Sequence, residues 1–143
     1  VKRVFLFAAF VGALLLSACG GSSEKSYMSV EQMSAALAEG GAPCEALEKI
    51  EPAAPGEQIS SKAPAGAQRF AQEAAACDMG GGRLQLFTFA DEDSRDRWMD
   101  FGERLGRPLV SGQNWAVLAP SEAAADNVRE ALGGDLHFGP EST

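Results

Sequence analysis

The chain has 143 residues, with 20 Asp and Glu against 12 Lys and Arg, a formal net charge of −8 and three cysteines. That length holds one domain. Its acidic balance makes it a poor candidate for nucleic acid and for electrostatic adhesion to anionic lipid head groups.

Lys2 and Arg3 form a short basic start, and Val4 to Leu16 follow without a charge. At about 1.5 Å per helical residue the apolar run spans roughly 20 Å, short of the ~30 Å hydrocarbon core. Basic start, short apolar run and small residues are the layout of a secretory signal peptide. No later apolar run approaches the length of a transmembrane helix. The run closes on Leu16-Ser17-Ala18-Cys19, which resembles the lipobox of bacterial lipoproteins almost residue for residue. The resemblance implies that Cys19 Sγ takes a diacylglyceryl group and that cleavage falls between Ala18 and Cys19. Residues 1–18 are then a removable leader. Two acyl chains give stable anchoring where one gives marginal binding, so the membrane is the partner expected through Cys19. The leader carries off Lys2 and Arg3, while all twenty acids lie beyond Cys19. Ten basic residues against twenty acidic ones leave the mature chain at −10.

With Cys19 committed to lipid, Cys44 and Cys77 remain. An even pair in an oxidising, exported compartment usually forms a disulfide. Closing a loop of about 34 residues would stabilise the fold by roughly 3–4 kcal/mol in the chain-entropy treatment. A metal site would need further ligands nearby, and the single histidine, His137, stands far along the chain; no metal or cofactor is expected.

Residues 19–28 read as anchor and tether, with Gly20 to Ser26 a polar, Gly/Ser-rich stretch. A single domain is expected over 29–134. Ser29 is placed to cap a helix, with Gln32 reaching back to the Ser29 N–H as in a capping box. Val30, Met33 and Leu37 share one face of that helix, and Gly40-Gly41 ends it. Leu47 and Ile50 suit a short strand; Pro52, Pro55, Gly56 and Pro64 punctuate a loop. Helix propensity favours the alanines of 66–76, but their run into Gly80-Gly81-Gly82 and a clear strand predicts a strand over about 74–79. Arg83 to Ala90 alternates Leu84 and Leu86 against Phe87 and Phe89, apolar on both faces, as a central strand should be. Asp91, Glu92 and Asp93 load acids onto the start of a helix carrying Trp98, Phe101 and Leu105. Gly106 and Pro108 stop it. Two short strands follow at Leu109-Val110 and Asn114–Ala119. Ser121 then caps a last helix, with Val128 and Leu132 inward and Gly133-Gly134 at its end. Residues 135–143 read as a loose polar tail. The expected fold is α+β: a small antiparallel-rich sheet with helices packed on one face, in a ferredoxin-like arrangement.

Chemistry-bearing motifs are sparse. Ser22-x-x-Lys25 matches the SxxK pattern, but the companion SDN and KTG motifs are absent. The glycine run lacks the Lys-Ser/Thr of a phosphate loop. Asp91, Glu92, Asp93, Asp96 and Asp100 fail the EF-hand pattern, because Asp96 and Gly102 occupy the positions that need Gly and Glu. Ser111 has no G-x-S-x-G elbow, and a triad would have to draw His137 from the tail. Trp98 and Trp115 at helix and strand spacing read as core first and as a ligand groove second.

Taken together, the anchor motif, the Cys44/Cys77 pair and the Gly112-Gln113-Asn114-Trp115 run resemble the small exported lipoproteins of high-GC Gram-positive bacteria. That resemblance implies a place, lipid-anchored on the extracytoplasmic face of the cell membrane, and a compact α/β domain. It implies no catalytic residues. A non-enzymatic binding or accessory module acting on an envelope protein is the first expectation, a small-ligand-binding or sensing lipoprotein the second, and an envelope hydrolase the weakest.

Overall fold

The computed structural model of the chain describes residues 25–50 and 70–138. The leader, Leu16, Ser17, Ala18, Cys19 and the proline-punctuated loop lie outside the described residues. Among the described residues no helix is long and apolar enough to cross a membrane.

Helix α1 runs Val30–Glu39, and Gln32 N–H donates to Ser29 Oγ at its start. The Gln32 side chain reaches back one residue further than the capping-box expectation: its Oε1 accepts from Met28 N–H at 2.8 Å. Val30, Met33 and Leu37 are fully buried. Strands β1 (Glu45–Ile50), β2 (Glu73–Met79) and β3 (Gly82–Thr88) follow. Tertiary pairing overrides the helix propensity of the alanines in β2, which pair with β1 on one side and β3 on the other. Met79 pairs with Gly82 across the two-residue turn Gly80-Gly81, whose φ angles of 55° and 86° are the left-handed values a type I′ hairpin needs. Helix α2 (Glu92–Gly102) is capped by Asp91 and continues into a 3₁₀ turn at 103–105. Strands β4 (Leu109–Ser111) and β5 (Trp115–Leu118), helix α3 (Glu122–Leu132, capped by Ser121) and strand β6 (Asp135–His137) complete the fold.

These elements make an α+β protein around one six-stranded antiparallel sheet, ordered β1-β2-β3-β5-β4-β6. Alternation along the strands divides the core in two. Leu84, Leu86, Val110, Trp115 and Val117 pack with α1 and α3 on one face. Phe87, Phe89, Leu109, Ala116 and Leu118 pack with Trp98 and Met99 of α2 on the other.

Two details differ from the expected arrangement, for one reason. From β3 onward the chain order βαββαβ is that of a ferredoxin-like unit, in which the last strand returns beside the first. Here β2 already occupies that flank of β3, so β6 goes to the far edge, beside β4. The crossovers β3–α2–β4 and β5–α3–β6 therefore step the same way across the sheet. They leave antiparallel neighbours, so crossovers of one hand must pass over opposite faces. Helix α2 consequently lies alone opposite α1 and α3, rather than all three sharing one face.

Two sequence-based boundaries also move. Asp135 to His137 is an edge strand paired with Leu109 to Ser111, not loose tail. Residues 25–28, expected as tether, are fixed to the domain by hydrogen bonds described below.

Cys44 and Cys77 form a disulfide, with Cα atoms 5.4 Å apart. Cys77 is wholly buried in β2 and Cys44 precedes β1, so the bond holds edge strand β1 to the sheet. Strand β1 needs that support: its pairing is bulged between Glu45 and Glu48, and its side chains are largely exposed. A bulged, charged edge discourages pairing with a second chain.

Candidate functional site

Two constellations stand out, both centred on the β4–β5 hairpin. The first is the trio Ser111, His137 and Glu103. Ser111 ends β4 and His137 ends β6; with Leu109 opposite His137 in the register, Ser111 is its diagonal neighbour. Ser111 Oγ and His137 Nε2 are 2.9 Å apart. Glu103, in the turn after α2, places Oε1 3.7 Å from His137 Nδ1. Sequence reasoning set His137 aside because it read 135–143 as tail. The alternation of Asp135 and His137 against Leu136 and Phe138 after a glycine stop was the signal for a short strand.

Serine, imidazole and carboxylate in this order are the groups of an acyl-transfer triad. The geometry stops short of one. The 3.7 Å separation exceeds a hydrogen bond, so the carboxylate does not fix the imidazole tautomer. The N–H of Gly112, the donor next to Ser111, donates to Trp115 O at 3.0 Å and closes the hairpin. It is not aimed at a developing oxyanion. Ser111 itself is only 8% exposed. Ser111 and His137 act chemically as a polar clasp that fastens edge strand β6 to β4.

The second constellation is a clamp on the segment entering the domain. Tyr27 N–H donates to Asn114 Oδ1 at 2.9 Å, and Asn114 Nδ2 donates to Tyr27 O at 2.8 Å. Trp115 Nε1 donates to Lys25 O at 2.9 Å, and the Tyr27 ring meets Trp115 edge-on at 5.8 Å between centroids. Burial, and after it the charge of Glu39, holds the Tyr27 phenol above its ordinary pKa. The hairpin carrying Asn114 is itself braced. Arg95 Nη1 donates to Gly112 O at 2.7 Å and Gln113 O at 2.9 Å, while its Nη2 pairs with Asp96. Gly112 and Gly134 leave room for the Trp115 ring, where a Cβ on either would collide with it. The Gly112-Gln113-Asn114-Trp115 run thus earns its composition through this clamp, a role that no local sequence pattern announces.

The remaining predicted residues fall into place separately. Trp98 and Trp115 are wholly buried. Trp98 packs on Phe87 and Phe89 at 4.6 and 5.7 Å, and both indoles belong to the core. Asp91 caps α2, with Oδ1 accepting from Ser94 N–H at 2.8 Å, and that bond holds its carboxyl below the usual range. Comparison with protein-family models, with curated proteins and with solved structures gives no match.

Proposed function

We propose that this chain is a lipid-anchored protein of the extracytoplasmic face of a bacterial cell membrane, of the high-GC Gram-positive type. In it a small α+β domain serves as a non-enzymatic binding or accessory module for another envelope protein. The observation that carries the proposal is Leu16-Ser17-Ala18-Cys19 directly after a basic start and a short apolar run. The Cys44–Cys77 disulfide supports it, because such bonds persist in oxidising, exported compartments. Burial of both tryptophans supports the accessory role over a small-ligand groove. The committed Gly112 N–H weakens the hydrolase alternative.

The test is a cross-linking pull-down of the natively lipidated protein from its own membranes, with Cys19→Ala as control. A near-stoichiometric envelope partner, lost in the control, is the expected result. An unlipidated Cys19 by mass spectrometry overturns the anchor. Lipidation without any partner overturns the accessory role alone.

A further inference from the structure

We infer that lipid anchoring biases the orientation of the domain on the bilayer. The β4–β5 hairpin and the first turn of α2 face the lipid surface, and the Gly80-Gly81 turn points away from it. This inference rests on the lipid anchor proposed above and adds to it an orientation.

The clamp determines where the anchored segment meets the domain. Lys25 O and both backbone polar groups of Tyr27 are held by Trp115 and Asn114. These residues lie at one end of the sheet, where Thr88 pairs with Trp115 and Phe89 N–H donates to Asn114 O. Asp91, the cap of α2, follows Phe89 by two residues and belongs to the same end. Five residues lie between Cys19 and Lys25, and full extension limits the six Cα steps to about 20 Å. Lipidation at Cys19 therefore confines this end to the vicinity of the head groups.

The other end lies a strand's length away. Strand β3 covers Gly82–Thr88, and at about 3.3 Å per residue the Gly80-Gly81 turn stands roughly 20 Å beyond Thr88. Without the clamp, the chain from Cys19 would run free to Ser29, and the domain could turn over on its longer lead. With it, the pivot moves to Lys25, beside the sheet end.

Charge sets how this end sits. Asp91, Glu92 and Asp93 are exposed there, and Arg95 is already engaged by two carbonyls and Asp96. Anionic lipid repels these acids, so this end stands off from the head groups and does not insert. Met28, 79% exposed, lies beside the clamp, while Phe138, 56% exposed, follows β6 at the other end. Exposed apolar side chains therefore favour neither end, and the inference stands on the clamp and the reach.

The experiment places a thiol at either end of the full-length, lipidated protein, by Gln113→Cys or by Glu122→Cys, the latter in the first turn of α3, where Pro120 lies against Gly82. Cys19 is acylated and Cys44 is bonded to Cys77, so the introduced thiol is the free one. Each form carries a short-range fluorescent donor and is reconstituted into phosphatidylcholine–phosphatidylglycerol vesicles containing an acceptor-labelled lipid. Energy transfer several-fold greater from position 113 than from 122 is expected. Adding Asn114→Ala should keep co-flotation with vesicles and shrink that difference. Equal or reversed transfer from floated protein overturns the orientation and leaves the anchor intact. An unchanged difference in Asn114→Ala overturns the role of the clamp. Failure of the lipidated protein to float, to the same degree as Cys19→Ala, overturns the anchor itself.

Discussion

The carboxamide of Asn114 satisfies both backbone polar groups of Tyr27 at once, accepting from its N–H at 2.9 Å and donating to its carbonyl at 2.8 Å, across 87 positions of sequence. A carboxamide presents an acceptor oxygen and a donor nitrogen side by side, so each backbone group meets its own atom. Asn114→Ala leaves two partly buried backbone groups without partners, a cost of about 1–3 kcal/mol. Asn114→Asp keeps the acceptor but sets an anion against the Tyr27 carbonyl, so it should recover only part of the loss. Urea denaturation of the three forms gives the ranking. Hydrogen exchange at Tyr27 should rise in Asn114→Ala well before exchange in β3 changes.

Helices α1 and α3 meet at Gly40, where an added Cβ would lie 2.5 Å from the Ala131 Cβ. Gly40 itself has φ −79°, a backbone that alanine adopts freely, so Gly40→Ala tests contact rather than conformation. Overpacking of this kind costs about 1–3 kcal/mol. Ala131→Gly removes the nearest atom but leaves the Ala131 Cα 2.6 Å from the added Cβ, at a helix-propensity cost of about 1 kcal/mol. The double variant should therefore recover little, falling within about 0.5 kcal/mol of the sum of the singles. A larger favourable coupling would show that the helices shift enough to take up the added atom.

Much of this fold is local enough to read in sequence. The Ser29 and Ser121 caps, the Gly80-Gly81 hairpin, the two-faced strand at 83–88 and the stripe of Trp98 and Phe101 each depend on neighbours a few positions away. What was not legible depends on distant partners. The face taken by α2 follows from β2 occupying one flank of β3, a fact of strand order that periodicity does not encode. Strand β6 is three residues long and gains its stability from Leu109 to Ser111. The Tyr27 segment looks like tether until Asn114 is seen beside it. The candidate sites suffered most: Ser111 and Glu103 meet His137 only through that unread strand.

Ser111 and His137 have the nucleophile–base distance of an acyl-transfer site, so reactivity is a direct check on the non-enzymatic role. With Gly112 N–H engaged by Trp115 O and Ser111 nearly buried, a fluorophosphonate probe should leave the protein unmodified by intact-mass analysis. Ser111→Ala should then cost about 1 kcal/mol through the lost hydrogen bond to His137. Stoichiometric labelling that disappears in Ser111→Ala would make the trio catalytic and displace the accessory role.

Stability should fall at both ends of the pH range, through different groups. The Ser94 backbone N–H holds the Asp91 carboxyl below its ordinary pKa, and the hydrogen bond from Lys49 does the same for Glu31. A carboxyl that is more acidic in the folded state contributes stability that is complete above the ordinary range, near about 4, and is lost as pH falls through the folded value. Asp91→Asn with Glu31→Gln should flatten that acid limb, since Asn still caps a helix. Tyr27 has the opposite sign. Burial raises its pKa, so its contribution is complete below about 10 and disappears as pH climbs through the folded value. Tyr27→Phe should weaken the alkaline decline and leave the acid limb unchanged. Urea midpoints at acidic, neutral and alkaline pH for the three proteins separate the two limbs. An alkaline decline that is identical in Tyr27→Phe would mean that the phenol is not held against Trp115 in solution.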